Sequence, residues 1–328
     1  MSNINDPISR RRALALGGGL AGGLAVASAP LLGAPGRALA ATARGGIDVT
    51  GKAGNGHLPV QQIEAIMQTT GTMMNGVLDI TLDRDDLHVT GPGGVPFKPS
   101  FQESSEFYFQ ALGNGRAIMN GDAALLAAET NPFMDKLFEG GIVVQAFHQH
   151  FVDESPQTWH IHYRAIGDPL QIAQAMIAAI KVTGTPLPQT QPSNPTTPLP
   201  TAQLGRILGG DAQVGSDGVV TVSIPRADTI HLGGVAISPY LNIAISVIFE
   251  PLGNGQAACA PDFGMIASEI NAALGVARQQ GLMVDCLYNQ ETDEFPQLYW
   301  AHCLTTGNPV DLAHKVARVL DQMNVKRS

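Results

Sequence analysis

Basic residues are scarce in this 328-residue chain: 19 Lys and Arg stand against 28 Asp and Glu, a formal net charge of −9. That balance argues against nucleic acid or an anionic membrane as the main partner. Cysteine is scarcer still, with Cys259, Cys286 and Cys303 alone. Three is an odd count and too few for a disulfide frame. The chain has no Cys-x-x-Cys pair, Walker loop, Rossmann fingerprint or Ser-His-Asp signature, so the chemistries those motifs carry are not indicated. Charged residues make up only 14% and apolar ones 44%, the composition of a globular protein rather than a disordered one. No long run of strongly apolar residues occurs. The nearest, up to about Leu32, is rich in glycine and makes a poor membrane-spanning helix.

That stretch instead reads as part of an export signal. Ser9-Arg10-Arg11-Arg12-Ala13-Leu14 resembles the twin-arginine pattern, and small residues at Ala38-Leu39-Ala40 and Ala41-Thr42-Ala43 suit cleavage. Residues 1–43 carry a net +3, so the remainder carries −12. The expected destination is the periplasm or the extracellular space, with no membrane attachment after cleavage.

The rest of the chain repeats itself. Shifted by 140 residues, Phe109-Gln110-Ala111-Leu112-Gly113-Asn114-Gly115 meets Phe249-Glu250-Pro251-Leu252-Gly253-Asn254-Gly255, and Asp153-Glu154-Ser155-Pro156-Gln157 meets Asp293-Glu294-Phe295-Pro296-Gln297. From Phe109 to Ala175 there are 20 identities in 67 positions, where unrelated sequences give about four. The expected organisation is a first copy over 44–182, a Pro/Thr-rich linker over 183–201 and a second copy over 202–328. Each copy opens with a helix (Val60 to Gln68; Ala202 to Leu208) followed by strands near Gly76–Leu82 and Glu106–Ala111, matched by Val219–Ile224 and Ile243–Glu250. In the first copy a strand near Arg116–Met119 comes next, then a helix opened by Asn131-Pro132, a hairpin, and a helix opened by Asp168-Pro169. Asn and Asp cap, and Pro fits the first turn. This β-α-β-β-α order predicts an α+β fold, two tandem units with helices packed on antiparallel sheets.

The hairpin holds the most informative residues. His148-Gln149-His150 and His160-Ile161-His162 flank a segment centred on Ser155. Residues two apart on a strand share a face. A tight hairpin about Ser155 puts His150 opposite His160 and His148 opposite His162, with cross-strand Cβ atoms about 5 Å apart. Phe147, Phe151, Trp159, Ile161 and Tyr163 then face the core. The same register sets Cys286 and Cys303 on opposite faces, so the cysteines read as small buried hydrophobes rather than a disulfide. Four neighbouring imidazoles without an ion compete for protons and repel when charged. The reading is a site for a divalent metal ion, zinc or copper, held by His148, His150, His160 and His162.

The duplication allows a comparison within one chain. His148, His150 and His160 become Tyr288, Gln290 and Trp300, while His162 is kept as His302. The second copy therefore does not repeat the site. Residues kept in both, such as Asp122/Asp262, Glu129/Glu269 and Glu154/Glu294, read as scaffold. The spacing His148-x-His150-x3-Glu154 also imitates the first metal motif of cupins.

The stretch Gly141-Ile142-Val143-Val144-Gln145-Ala146-Phe147-His148-Gln149-His150 together with Glu154-Ser155-Pro156, His160-Ile161-His162 and Gly167-Asp168-Pro169 resembles the LppY/LpqO family of exported bacterial proteins, the domain of unknown function numbered 1259. Cys286-Leu287-Tyr288-Asn289-Gln290 and Gln297-Leu298-Tyr299-Trp300 resemble that family's histidine-poor copy. Family members are commonly labelled peptidoglycan-binding. Three readings stay open: an exported metal-binding protein; a metal-dependent hydrolase or oxidoreductase using the same site; and a binder of cell-wall polysaccharide or a small molecule, through an aromatic face at Tyr288, Trp300 and Tyr299.

Overall fold

The computed structural model describes residues 56–327 apart from Ser193; the expected export segment, 1–43, lies outside the described residues. The first half runs α1 (Val60–Met67), β1 (Thr72–Met74), β2 (Val77–Asp83), β3 (Ser104–Gly113), β4 (Arg116–Leu126), α2 (Thr130–Glu139), β5 (Val143–His148), β6 (Thr158–Gly167) and α3 (Pro169–Ile180). The second half runs α4 (Thr201–Leu208), β7 (Asp211–Val214), β8 (Val220–Ile224), β9 (His231–Leu232), β10 (Val235–Ala236), β11 (Ile245–Gly253), β12 (Gln256–Met265), α5 (Ile270–Gln279), β13 (Met283–Val284), β14 (Glu294–Phe295), β15 (Tyr299–Gly307) and α6 (Pro309–Leu320). Each half forms one six-stranded antiparallel sheet, ordered β1-β2-β3-β4-β6-β5 and β13-β15-β12-β11-β8-β7, and a small sheet β10-β9-β14 lies beside them. This is the expected α+β fold in tandem units.

Strand alternation separates two kinds of face. In β2, Leu78, Ile80 and Leu82 join Phe107, Phe109, Met119, Ile161 and Tyr163 in a core closed by α1, α2 and α3. The second half repeats this with Val220, Val222, Val247, Phe249, Ala301 and Cys303 against α4, α5 and α6. The other face of each sheet turns toward the other half. Val77 and Ile118 of the first half pack on Leu232, Leu241, Leu298 and Trp300 of the second. Similarly, Phe97, Phe101 and Phe151 pack with Val219, Ala258 and Leu304. The layers are therefore helices, sheet, sheet, helices, with a seam between the sheets. Fully burying one such Leu or Phe contributes about 1.5–3 kcal/mol, so both the outer cores and the seam hold the fold together.

Local chemistry repeats with the halves. Asn114-Gly115 and Asn254-Gly255 take positive φ at 50°, 71°, 51° and 72°, the conformation a tight two-residue hairpin needs. Asp168 accepts from the amides of Leu170 and Gln171, and Asn308 from those of Val310 and Asp311. Asn131 does not cap. The α2 helix starts at Thr130 without a side-chain cap, and the carboxylate of Glu129 accepts from the amide of Leu126 while pairing with buried Arg84. Arg226 and Glu269 repeat that pair. The chain after α3 is tied to the first half at Gln189, which accepts from the Asp83 amide and donates to the Asp83 carbonyl.

Candidate metal centre

The hairpin register differs from the tight turn expected about Ser155. His148 lies opposite His160, Phe147 opposite Ile161 and Ala146 opposite His162, with an irregularity between Val144 and Ala146. The strand β5 ends at His148 because the following loop is engaged elsewhere. Phe151 is buried against Phe97, and Ser155 exchanges two backbone hydrogen bonds with Thr90. Phe147 is consequently 48% exposed and packs on Trp159 at 5.0 Å between ring centroids, rather than entering the core. His231 takes the place of Thr90 in the second half, since it pairs with Phe295 as Thr90 does with Ser155.

All four histidines nevertheless converge. His160 and His162 occupy the seam face of β6, His148 closes β5, and His150 folds back from the loop. The His148 ring lies 5.1 Å from His150, 6.1 Å from His160 and 5.1 Å from His162. His150 stacks on His160 at 3.3 Å. A fifth imidazole comes from the opposite sheet: His302 on β15 lies 3.9 Å from His150 and 5.7 Å from His148. Tyr288 covers the cluster, stacked on His148 at 3.7 Å.

Carboxylates complete the surroundings. Asp122 sits opposite His162 on β4, and its Oδ2 lies 3.1 Å from Nδ1 of His160. Asp262 sits opposite His302 on β12, with Oδ2 3.6 Å from Nε2. The thiol of Cys286, pushed up to about 12 mainly by burial, lies in hydrogen-bond contact with Nδ1 of His302 at 3.1 Å. Burial holds the imidazoles neutral, driving His160 down to about 3 and His148, His150, His162 and His302 well below the usual imidazole range, with mutual repulsion adding to the effect in the last four. It raises Asp122 to about 7, as burial and the neighbouring Asp122 charge do for Glu106. Asp262 is pushed well above the carboxylate range by burial and by Asp122 and Glu106. Between about pH 3 and pH 7 the Asp122–His160 pair is therefore net neutral.

The cluster opens onto a cavity of about 460 Å³ between the sheets. Asp79, Thr81 and Glu106 line it from the first half, Ser223, Ser246 and Tyr240 from the second. Trp300 also lines it, 1% exposed, and Gln290 is buried with its amide donating to the carbonyl of Asn242. Of the aromatic residues expected to form a binding face, Tyr288 and Trp300 thus belong to the seam, and Tyr299 does not line the cavity.

Three residues escaped the sequence reading, and one signal pointed to them. Asp122–His162 is repeated as Asp262–His302, and in the sequence such repetition reads as scaffold. It marks instead the surface on which the two copies meet. Cys259 and Cys303 are fully buried as expected, whereas Cys286 touches His302. All three cysteines are free. The scaffold reading holds for Glu154 and Glu294, which accept from the amides of Thr158 and Leu298 and from Gln157 and Gln297. Glu154 joins neither group of donor atoms that converges around the histidines, and two facing sheets with outer helices are not a cupin roll.

No curated protein matches this chain. Among solved structures, the trimeric bacterial microcompartment shell protein PduB aligns with 79% of this chain and 96% of its own at 13% identity. Its TM-score of 0.19 carries no argument about this fold. The family described as Domain of Unknown Function (DUF1259) matches twice, over residues 61–182 and 202–322. The two matches fall on the two sheets with their helices, and the chain belongs to this family as a tandem pair of its domains.

Proposed function

We propose that the chain binds a divalent transition-metal ion in the histidine cluster of the seam, zinc or copper by the chemistry of its donors. One observation carries this reading. Both ring nitrogens of His148, His150 and His162, and Nε2 of His160, are buried without a hydrogen-bond partner. An unpaired buried polar atom costs about 1–3 kcal/mol, and folded proteins keep only a few per hundred residues, so seven on four neighbouring rings is a concentration that calls for a partner. Neutral imidazoles are the commonest metal ligands, and a bound ion gives one nitrogen of each ligating ring the partner it lacks. Imidazole suits zinc and copper, and a carboxylate beside it is an ordinary zinc ligand. Elemental analysis of purified protein beside a His148→Ala, His150→Ala variant tests the proposal: metal in the first and little in the second is expected. Wild-type protein that stays metal-free after exposure to zinc and copper would end it.

The cavity favours a second reading, a metal-dependent hydrolase or oxidoreductase acting on a small polar molecule. An ion with one open position lowers the pKa of bound water or binds oxygen, and 460 Å³ leaves room for a substrate beside it. Turnover on a substrate panel, lost on chelation and restored by one ion, is the expected result. Retention of wild-type protein on insoluble cell-wall material, lost in Trp300→Ala, would instead favour a polysaccharide entering the same cavity. The Arg10-Arg11-Arg12 segment supports export to the periplasm or beyond, and cytoplasmic retention after Arg11→Lys, Arg12→Lys substitution tests it.

A further inference from the structure

The seam offers more donors than one ion uses. Each half brings one cross-strand Asp–His pair, Asp122 with His162 and Asp262 with His302. The first half adds His148, His150 and His160. A tetrahedral ion takes four ligands, fewer than five imidazoles and two carboxylates supply. Two donor groups converge separately: His148, His150 and His302 in one, Asp122, His150 and His162 in the other, with donor atoms in each within 4.8 Å of one another. Opposite ligands of an ion with bonds of about 2.1 Å lie about 4.2 Å apart at most. Donor separations of up to 4.8 Å therefore need to shorten by about 0.6 Å or more for a group to close on an ion.

His150 belongs to both groups but cannot fill both places through one nitrogen. His160, stacked 3.3 Å away with Nε2 unpartnered, is the adjacent donor for the ion that His150 does not serve. The carboxyl groups are open to a cation: no Lys or Arg among the described residues forms an ion pair with Asp122 or Asp262, whose ionic partners are His160 and His302.

We infer that the seam holds two divalent ions, one between His148, His302 and an imidazole of the His150–His160 stack, the other between Asp122, His162 and the remaining ring of that stack. This rests on the metal reading above, and stoichiometry separates the two. Full-length protein stripped with chelator and dialysed against zinc is expected to take up two equivalents. His302→Gln and His162→Gln, checked for native circular dichroism, are each expected to lose one. Loading with copper(II) should give an electron paramagnetic resonance spectrum of two coupled ions in wild type and of one isolated ion in either variant. One equivalent in wild type, or loss of both ions in each correctly folded single variant, overturns the two-ion centre and leaves the metal reading standing. No uptake overturns both.

Discussion

Arg84→Met is the sharpest test of how the first half is held in shape. The guanidinium is 0% exposed, and all five of its N–H groups donate: Nε and one Nη2 hydrogen to Asp86, one hydrogen each from Nη1 and Nη2 to Glu129, and the last from Nη1 to the Ala124 carbonyl. Arg has five donors and no more, so the group is saturated. Methionine fills much of the volume but strands the Glu129 carboxylate, which is only 13% exposed. Removing one member of a buried pair costs about 3–5 kcal/mol. Asp86 is 27% exposed, so water replaces part of its lost partner and the lower half of that range is expected. With a urea slope of about 2–3 kcal/mol/M for a chain of this size, the midpoint should fall by about 1–2 M. Adding Glu129→Gln should return at least half of the loss, because a neutral pair in place of a buried ion pair is close to neutral in stability. Urea unfolding of the four proteins closes the cycle. A midpoint shift below about 0.3 M, or no recovery in the double variant, would show that the buried charge is not what these bonds stabilise.

Glu291 is 2% exposed and accepts from the amides of Asn120, Gln145 and Gln290; burial raises it from 4.5 to about 7. A raised carboxyl leaves stability unaffected below pH 4.5 and lowers it as pH climbs to 7, by about 1.4 kcal/mol per unit. Glu291→Gln should therefore gain about 3 kcal/mol on wild type between pH 4.5 and pH 8, and a pH-independent difference would refute the shift. A Cβ on Gly121 would stand 1.9 Å from the Glu106 carbonyl oxygen, whereas one on Gly264 meets only the Trp300 ring at 2.8–3.0 Å. Gly264→Ala should cost about 1–3 kcal/mol and Gly121→Ala more, since backbone cannot swing aside; equal costs in thermal unfolding would contradict that packing. Trp300 lines the cavity with the histidines and Trp159 does not, so copper(II) should quench fluorescence in Trp159→Phe and leave Trp300→Phe largely unquenched. The reverse pattern would place the ion elsewhere.

The sequence carried the duplication, the strand and helix order and the four histidines because each is a local or periodic pattern. Helix starts at Asp168 and Asn308 and the hairpins at Asn114-Gly115 and Asn254-Gly255 follow from single residues whose backbone chemistry leaves little choice. What stayed hidden was non-local. The register of β5 depends on Phe151 finding Phe97 and on Ser155 finding Thr90, contacts across more than fifty residues. Exposure of Phe147 follows from that change. Burial of Trp300 and the arrival of His302 depend on the sheets meeting face to face, which alternation alone does not disclose: a polar strand face reads as solvated until something covers it.

That covering also explains how so polar a seam is tolerated. Asp79, Glu106, Asp122, His160, His162, Asp262 and His302 lie between two sheets, and burying them is a cost, not a source of stability. The offset comes from either side. Ile118, Leu232, Leu241 and Trp300 close one flank, and Phe97, Phe101, Phe151 and Leu304 the other. Apolar flanks hold the halves together and exclude water, while the polar centre stays available for a ligand. Neither copy alone retains this arrangement, since removing the second exposes the first copy's imidazoles and withdraws His302. The duplication therefore does more than enlarge the protein: the histidine-poor copy, with a single imidazole on this face, supplies the wall without which the other copy's histidines would be ordinary surface residues.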